Sequence, residues 1–199
     1  MKHSLDLDPN PIHQFELWFQ EAKKISRMEF PDAMALATSS PDGRPSLRMV
    51  LFKGIRHDAF TFVTNYESRK AKEIDANPKA ALCFFWDWTG HQVRVEGTVE
   101  KFSSVDSDNY FRSRPRESQI GAWASPQSRQ IDSREELEKK VIEAERRFAG
   151  IEVPRPAHWG GYLLKPDRME FWKNIPHRLH DRFEYLLQEG NWRKRRLAP

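Results

Sequence analysis

Cysteine is almost absent: Cys83 stands alone among 199 residues, so no disulfide can form within the chain. It lies in an apolar run (KAALCFF, 79–85), a setting that disfavours a nucleophilic thiolate. No apolar run is long enough to cross a bilayer and no apolar segment opens the chain, so a reducing, cytoplasmic setting without membrane contact is expected. A large charge of one sign is missing too. The 33 Lys and Arg against 29 Asp and Glu leave +4, which suits anionic small molecules and is too little to argue for nucleic acid. There is no GxxxxGK[ST] loop, no GxGxxG and no GxSxG elbow. No His, Cys and acid cluster has metal-ligand spacing, so no metal is expected, and His158 and His177 read as ordinary polar residues. With no self-sufficient chemistry in its side chains, the chain points to a bound cofactor.

Aromatic residues, by contrast, are plentiful. The 7 Trp and 13 Phe suit a β-rich core or a flat-ring ligand. Residues 1–9 read as a loose, flexible arm and 10–199 as one domain. A helical spacing of Phe15, Trp18, Phe19 and Ala22 predicts a helix from Pro11 to about Met28. Strands follow at 33–39 and 45–53, joined by the Ser40-Pro-Asp-Gly43 turn, and at 59–64. Ser68 is placed to cap a short helix that Asn77-Pro78 stops. KAALCFF reads as a strand buried on both faces. In 92–102, Val93, Val95 and Val99 alternate with polar residues, and Gly97 marks a bulge or a close approach. Helices are expected from Val105, with Pro115 able to start a second one, and from Ser133 to about Ala149. Strands at about 160–165, 168–173, 179–187 and 191–196 close the chain. The fold class is therefore mostly β with peripheral helices, an antiparallel barrel or sandwich.

Cations gather in three places. Arg178, His180 and Arg182 share one face if the segment is a strand, which either faces water or faces an anion. Arg69 and Lys70 occupy the first turn of the short helix, where the helix dipole disfavours cations unless an anion binds. The alternative is a surface helix with Arg69 and Glu73 paired four residues apart. Tyr110, Arg112, Arg114, Arg116 and Ser118 crowd into nine residues, either as a phosphate cradle or as surface arginines. The tail Trp192-Arg-Lys-Arg-Arg196 reads as charged protection of an edge strand rather than as a nucleic-acid patch.

The segments RMVLFK (48–53), VTNYESRKAKEI (63–74), HQVRVEG (91–97), YFRSRPRESQIGAW (110–123), SPQSRQI (125–131), HWGGY (158–162), MEFW (169–172), HRLHDR (177–182) and the final RLAP together resemble the pyridoxine (pyridoxamine) 5′-phosphate oxidase family, over nearly the whole chain. The resemblance implies a split β-barrel of Greek-key type and a homodimer carrying FMN at the subunit interface. It also implies oxidation of pyridoxine or pyridoxamine 5′-phosphate to pyridoxal 5′-phosphate, with O2 accepting the electrons to give H2O2. Carried over by position, FMN contacts are Arg48, Met49, Val50, Leu51, Phe52, Lys53, Val63, Thr64, Arg69, Lys70, Gln92, Gln127, Ser128, Trp172 and Arg182. Lys53, Tyr110, Arg114 and Ser118 are implied to hold the substrate phosphate. Arg178 and His180 are implied to contact the substrate ring near the reacting carbon. The chain departs from the family pattern at Lys173-Asn174, where Gln-Gly is usual, and at Phe30, where an acid is usual. The family often has a longer N-terminal arm that closes over the substrate, so either a shortened lid or a trimmed start is expected here. A split-barrel flavin oxidoreductase with another substrate, and a non-catalytic flavin or pyridoxal phosphate binder, are the alternatives.

Overall fold

The fold, described by a computed structural model over residues 5–25 and 27–199, is built on one antiparallel sheet that forks. Helix α1 (Pro11–Lys23) starts where Asn10 caps the Ile12 N–H and Pro11 supplies a preset φ. It buries Phe15, Trp18 and Ala22. The chain turns at Lys24, short of the expected Met28, which instead packs on the core from the following turn.

The strands are β1 (Ala33–Ser39), β2 (Pro45–Leu51), β3 (Ile55–Arg56), β4 (Ala59–Asn65), β5 (Lys79–Trp86), β6 (His91–Lys101), β7 (Trp159–Lys173), β8 (Asp181–Gln188) and β9 (Asn191–Leu197). They run in the order β2-β1-β5-β6-β7. Beyond β7 the sheet splits. Trp159–Leu164 pair with β4, whereas Arg168–Lys173 pair with β8, which continues to β9. The two strands expected at 160–165 and 168–173 are thus one, with a register shift opposite Glu96 and Gly97. A Cβ at Gly97 would lie 2.0 Å from the Lys165 carbonyl oxygen, so the fork depends on a backbone approach that only glycine permits. Gly97→Ala is expected to cost about 2–3 kcal/mol by overpacking, read as a lowered denaturant midpoint with an unchanged slope. Wild-type stability would contradict this.

Helix α2 (Arg69–Ala76) lies between β4 and β5. Helices α3 (Ser104–Arg112), α4 (Arg116–Ala124) and α5 (Arg134–Arg147) follow β6, and Pro115 does precede the second of these. Phe15, Phe52, Phe60, Phe84 and Trp86 pack at the centre of the main core. A second core joins Phe111, Ile120, Ala144 and Phe148 to Trp159.

Three expectations need correcting. Residues 1–4 of the expected arm lie outside the described residues, but residues 5–9 are tied down. Leu7 is buried, Tyr185 Oη donates to the Asp8 carbonyl at 2.6 Å, and Lys194 Nζ donates to the Leu7 carbonyl at 2.7 Å. Strand β5 is buried on one face only: Leu82 and Phe84 enter the core, while Phe85 on the other face is 59% exposed. The strand expected from 179 begins at Asp181. Pro176–Arg178 form a 3-10 turn in which His177 and Arg178 take left-handed backbone angles, φ 62° and 61°. Arg178, His180 and Arg182 therefore do not share a strand face. The basic tail is an edge strand in which Arg195 pairs with Glu184 and Arg196 with Asp181.

Candidate active site

Strand β2 lies at the sheet edge, and its outward backbone borders an open cleft of about 1020 Å³. Arg48, Met49, Val50, Leu51 and Lys53 line it from β2 and the following loop. Val63 and Thr64 come from the end of β4, and Arg69 and Lys70 from the start of α2. Tyr110, Arg114 and Ser118 close the far side, and Gln127 and Ser128 come from the loop after α4. Two clusters far apart in sequence thus meet in one cleft.

At one end Lys70 is buried, and its ammonium donates to Thr64 Oγ1 (3.0 Å), Ser68 Oγ (3.2 Å) and Gln127 Oε1 (3.1 Å). All three acceptors are neutral, and no carboxylate among the described residues pairs with the ammonium. Burial, helped by nearby Arg48, lowers its pKa to about 8. Ser68 accepts from Lys70 rather than capping the helix with its side chain, so the expected cap is not made. Arg69 Nε donates to Glu73 Oε1 at 2.8 Å, the i, i+4 pair weighed from the sequence.

At the other end Arg114 stacks on Trp159, its guanidinium carbon 4.5 Å from the ring centroid. Its Nη1 is buried without a hydrogen-bond partner among the described residues. Burial lowers its pKa, with Tyr110 acting in the opposite direction and no carboxylate salt bridge among the described residues. A buried guanidinium N–H left without an acceptor is costly unless an anion meets it. Tyr110 also stacks on Trp159, with centroids 6.2 Å apart. Lys53 Nζ, nearby, pairs with Asp32 at 3.3 Å.

The remaining expected site residues lie elsewhere. The Phe52 side chain is in the main core and does not line the cleft. Gln92, Trp172 and Arg182 are direct cross-strand neighbours on β6, β7 and β8, on the outer sheet face. His180 contacts Trp172, centroids 4.6 Å apart, and its Nδ1 accepts from the Ile175 N–H at 3.2 Å. A neutral His180 so held carries its proton on Nε2. Arg178 is exposed, with no hydrogen bond among the described residues. Arg182 is held by Glu170 through Nε at 2.9 Å and Nη2 at 3.2 Å.

Sequence reasoning missed Trp159, Ser46 and Glu73. Trp159 was legible only as the start of a strand, and its position under Arg114 depends on the α3–β7 packing. Glu73 is buried because hydroxyls from the β1–β2 hairpin reach it across 27 and 35 residues.

Residues 23–148 match the profile described as Pyridoxamine 5′-phosphate oxidase, and residues 159–199 match the Pyridoxine 5′-phosphate oxidase C-terminal dimerisation region. The chain belongs to the pyridoxine/pyridoxamine 5′-phosphate oxidase family. A Pyridoxine/pyridoxamine 5′-phosphate oxidase from Rubrobacter xylanophilus is 54% identical over 192 residues, covering 96% of this chain and 88% of the relative. One from Myxococcus xanthus is 49% identical over 199 residues, covering 100% and 96%. Among solved structures, PhzG from Burkholderia lata 383, in complex with tetrahydrophenazine-1-carboxylic acid, superposes with a TM-score of 0.91 at 31% identity, covering 98% of this chain and 95% of that one. A pyridoxamine 5′-phosphate oxidase-related, FMN binding protein from Nostoc punctiforme shares the fold, with a TM-score of 0.77 at 18% identity, covering 97% and 100%. Like other members of the pyridoxine/pyridoxamine 5′-phosphate oxidase family, the protein is an oxidoreductase, and its forked, unclosed sheet is a split barrel.

Proposed function

We propose that the protein oxidises pyridoxine 5′-phosphate or pyridoxamine 5′-phosphate to pyridoxal 5′-phosphate, with FMN as cofactor and O2 as final electron acceptor giving H2O2. One observation carries this reading: a single cleft holds two cations, the buried Lys70 and the half-buried Arg114, that have no carboxylate partner among the described residues. Two such cations fit two phosphate groups, one on the cofactor and one on the substrate.

In this reading Arg69 and Lys70 hold the FMN phosphate, with Thr64, Gln127 and Ser128 around it. The exposed backbone of β2 and the side chains of Arg48–Leu51 and Val63 bound the ring system, and Phe52 contributes backbone only. Lys53, Tyr110, Arg114 and Ser118 hold the substrate phosphate. FMN, when bound, supplies the two-electron acceptor for oxidation of the substrate carbon that bears the alcohol or amine. The residues' own contribution is positioning, and binding of the remote phosphate helps to orient the reacting carbon.

A second copy completes the site. Leu47 and Met49 on β2 are 69% and 64% exposed, on the same outer face as Phe85, Gln92 and Trp172. An apolar face of this kind suits a partner subunit, and the matched dimerisation region spans β7 to β9. In the homodimer, Gln92, Trp172, Arg178, His180 and Arg182 reach the cleft from the partner subunit, with Arg178 and His180 beside the reacting carbon. In a cytoplasmic setting the dimer needs neither nucleic acid nor membrane.

Incubation of FMN-reconstituted protein with each phosphorylated vitamer in air tests the reading. Pyridoxal 5′-phosphate and H2O2 should appear in equal amounts. Formation of neither, with oxidation of an unphosphorylated aromatic acid instead, would point to another substrate.

Lys70 adds a pH dependence. Its folded pKa of about 8 lies below the usual 10.5, so the charged form destabilises the folded chain at neutral pH, and that stability is regained as pH rises from about 8 to 10.5. Anion affinity runs the other way, because deprotonation removes the attracting charge. FMN phosphate is a dianion throughout this range, so the dissociation constant for FMN should climb above pH 8, approaching about tenfold per pH unit. It should be flat in Lys70→Met. A flat wild-type profile from pH 7 to 9.5 would remove Lys70 from the phosphate site.

A further inference from the structure

Glu73 is buried on α2, and its carboxylate collects donors from three elements. Thr38 Oγ1 on β1 donates at 2.5 Å, and Ser46 Oγ on β2 also donates to it. Arg48 Nη2 on β2 lies at 3.4 Å, and Arg69 Nε at 2.8 Å. The two arginines are held differently. The Arg48 fork is turned inward, Nη1 donating to the Leu36 carbonyl at 3.0 Å and to Thr38 Oγ1 at 2.6 Å, and Nη2 to Ser46 Oγ at 2.5 Å. Arg69 is bound only through Nε. Its Nη1 and Nη2 make no hydrogen bond among the described residues, and the residue lines the cleft beside Lys70.

We infer that Glu73 is a positioning residue for phosphate recognition: by taking Arg69 through Nε, it leaves the terminal guanidinium nitrogens as a preset fork for the phosphate of the cofactor. This rests on the proposed FMN site. A guanidinium can serve two anions at once in this way because its donors lie on separate edges of one plane, whereas an ammonium presents a single point of charge. Pre-ordering a long, otherwise exposed side chain also removes part of the entropy cost of binding. The carboxylate stays ionised for this task. Burial alone would raise its pKa, but the hydroxyls of Ser46 and Thr38 and the Arg69 guanidinium bring it down to about 2.

The role separates from a purely structural one by comparing FMN with riboflavin, which lacks the phosphate. Dissociation constants for both are measured on the apoprotein by flavin fluorescence, alongside melting temperature. Glu73→Gln puts an amide donor among four donors, so it should weaken FMN about tenfold and leave riboflavin within about twofold. In an Arg69→Ala background the same change should add almost nothing to the FMN loss, because the fork it positions is gone. Arg69→Lys, at an exposed position that tolerates exchange, keeps the charge but not the fork, and should also weaken FMN about tenfold with riboflavin unchanged. Equal losses for both flavins, additivity of Glu73→Gln with Arg69→Ala, or an Arg69→Lys protein that binds FMN as the wild type does would each overturn the inference. If Glu73→Gln does not fold, the Arg69→Lys result decides alone. A wild-type protein that binds FMN no tighter than riboflavin would instead sink the proposed cofactor phosphate site.

Discussion

Arg178→Ala should lower kcat by roughly 10²- to 10³-fold, the size of effect seen when a donor that acts mainly in the transition state is removed. FMN affinity should stay within about twofold, because that role places Arg178 against the substrate and not the flavin phosphate. Arg178 is exposed, has no hydrogen bond among the described residues, and sits with His177 in left-handed backbone. Two consecutive non-glycine residues in that region cost about 1–3 kcal/mol each, a strain that aims a side chain rather than packs it. The neighbouring His180 ring is fixed by the Ile175 N–H and by Trp172, just before the start of β8. Stopped-flow reduction of bound flavin by pyridoxine 5′-phosphate is the readout. An unchanged reduction rate would remove Arg178 from the chemistry.

Arg114→Ala should act on binding instead. A charge-assisted hydrogen bond contributes about 1.5–3 kcal/mol, so KM for the phosphorylated vitamers should rise roughly 10- to 100-fold. On the proposed role Arg114 holds a phosphate remote from the reacting carbon, so the loss should fall mainly on KM, with a smaller fall in kcat from poorer orientation of that carbon. The effect should be specific. Whatever activity the wild type has on pyridoxine and pyridoxamine without phosphate should be the same in the variant. Stability should not fall steeply, because the exchange removes a buried donor that has no partner among the described residues. Equal impairment with and without the phosphate would mean that Arg114 shapes the cleft through Trp159 rather than binding the anion.

These residues also show where the sequence was sufficient. Strand β6 was readable because Val93, Val95 and Val99 keep strict alternation, and Gly97 marked the close approach at the fork. The cationic first turn of α2 and the Tyr110–Ser118 cluster were legible as charge without counter-charge, and the fold brings both to one cleft. Other features had no local signal. His177 and Arg178 adopt left-handed angles without being glycine, so the segment imitated a basic strand. The outer face of β5 looked doubly buried because an apolar pattern does not distinguish a strand covered on both faces from one whose outer face carries an exposed apolar residue such as Phe85. Glu73 looked like one half of a surface pair, since the hydroxyls that enclose it come from a hairpin distant in sequence.

The most direct test of the central claim is the visible absorption spectrum of the FMN-loaded protein under anaerobic conditions, before and after addition of pyridoxine 5′-phosphate. The account predicts that the flavin bands bleach on addition of this substrate, that they return when air is admitted, and that pyridoxal 5′-phosphate forms in proportion to the flavin reduced. A spectrum that stays yellow with both phosphorylated vitamers, in a protein that holds FMN firmly, would contradict it.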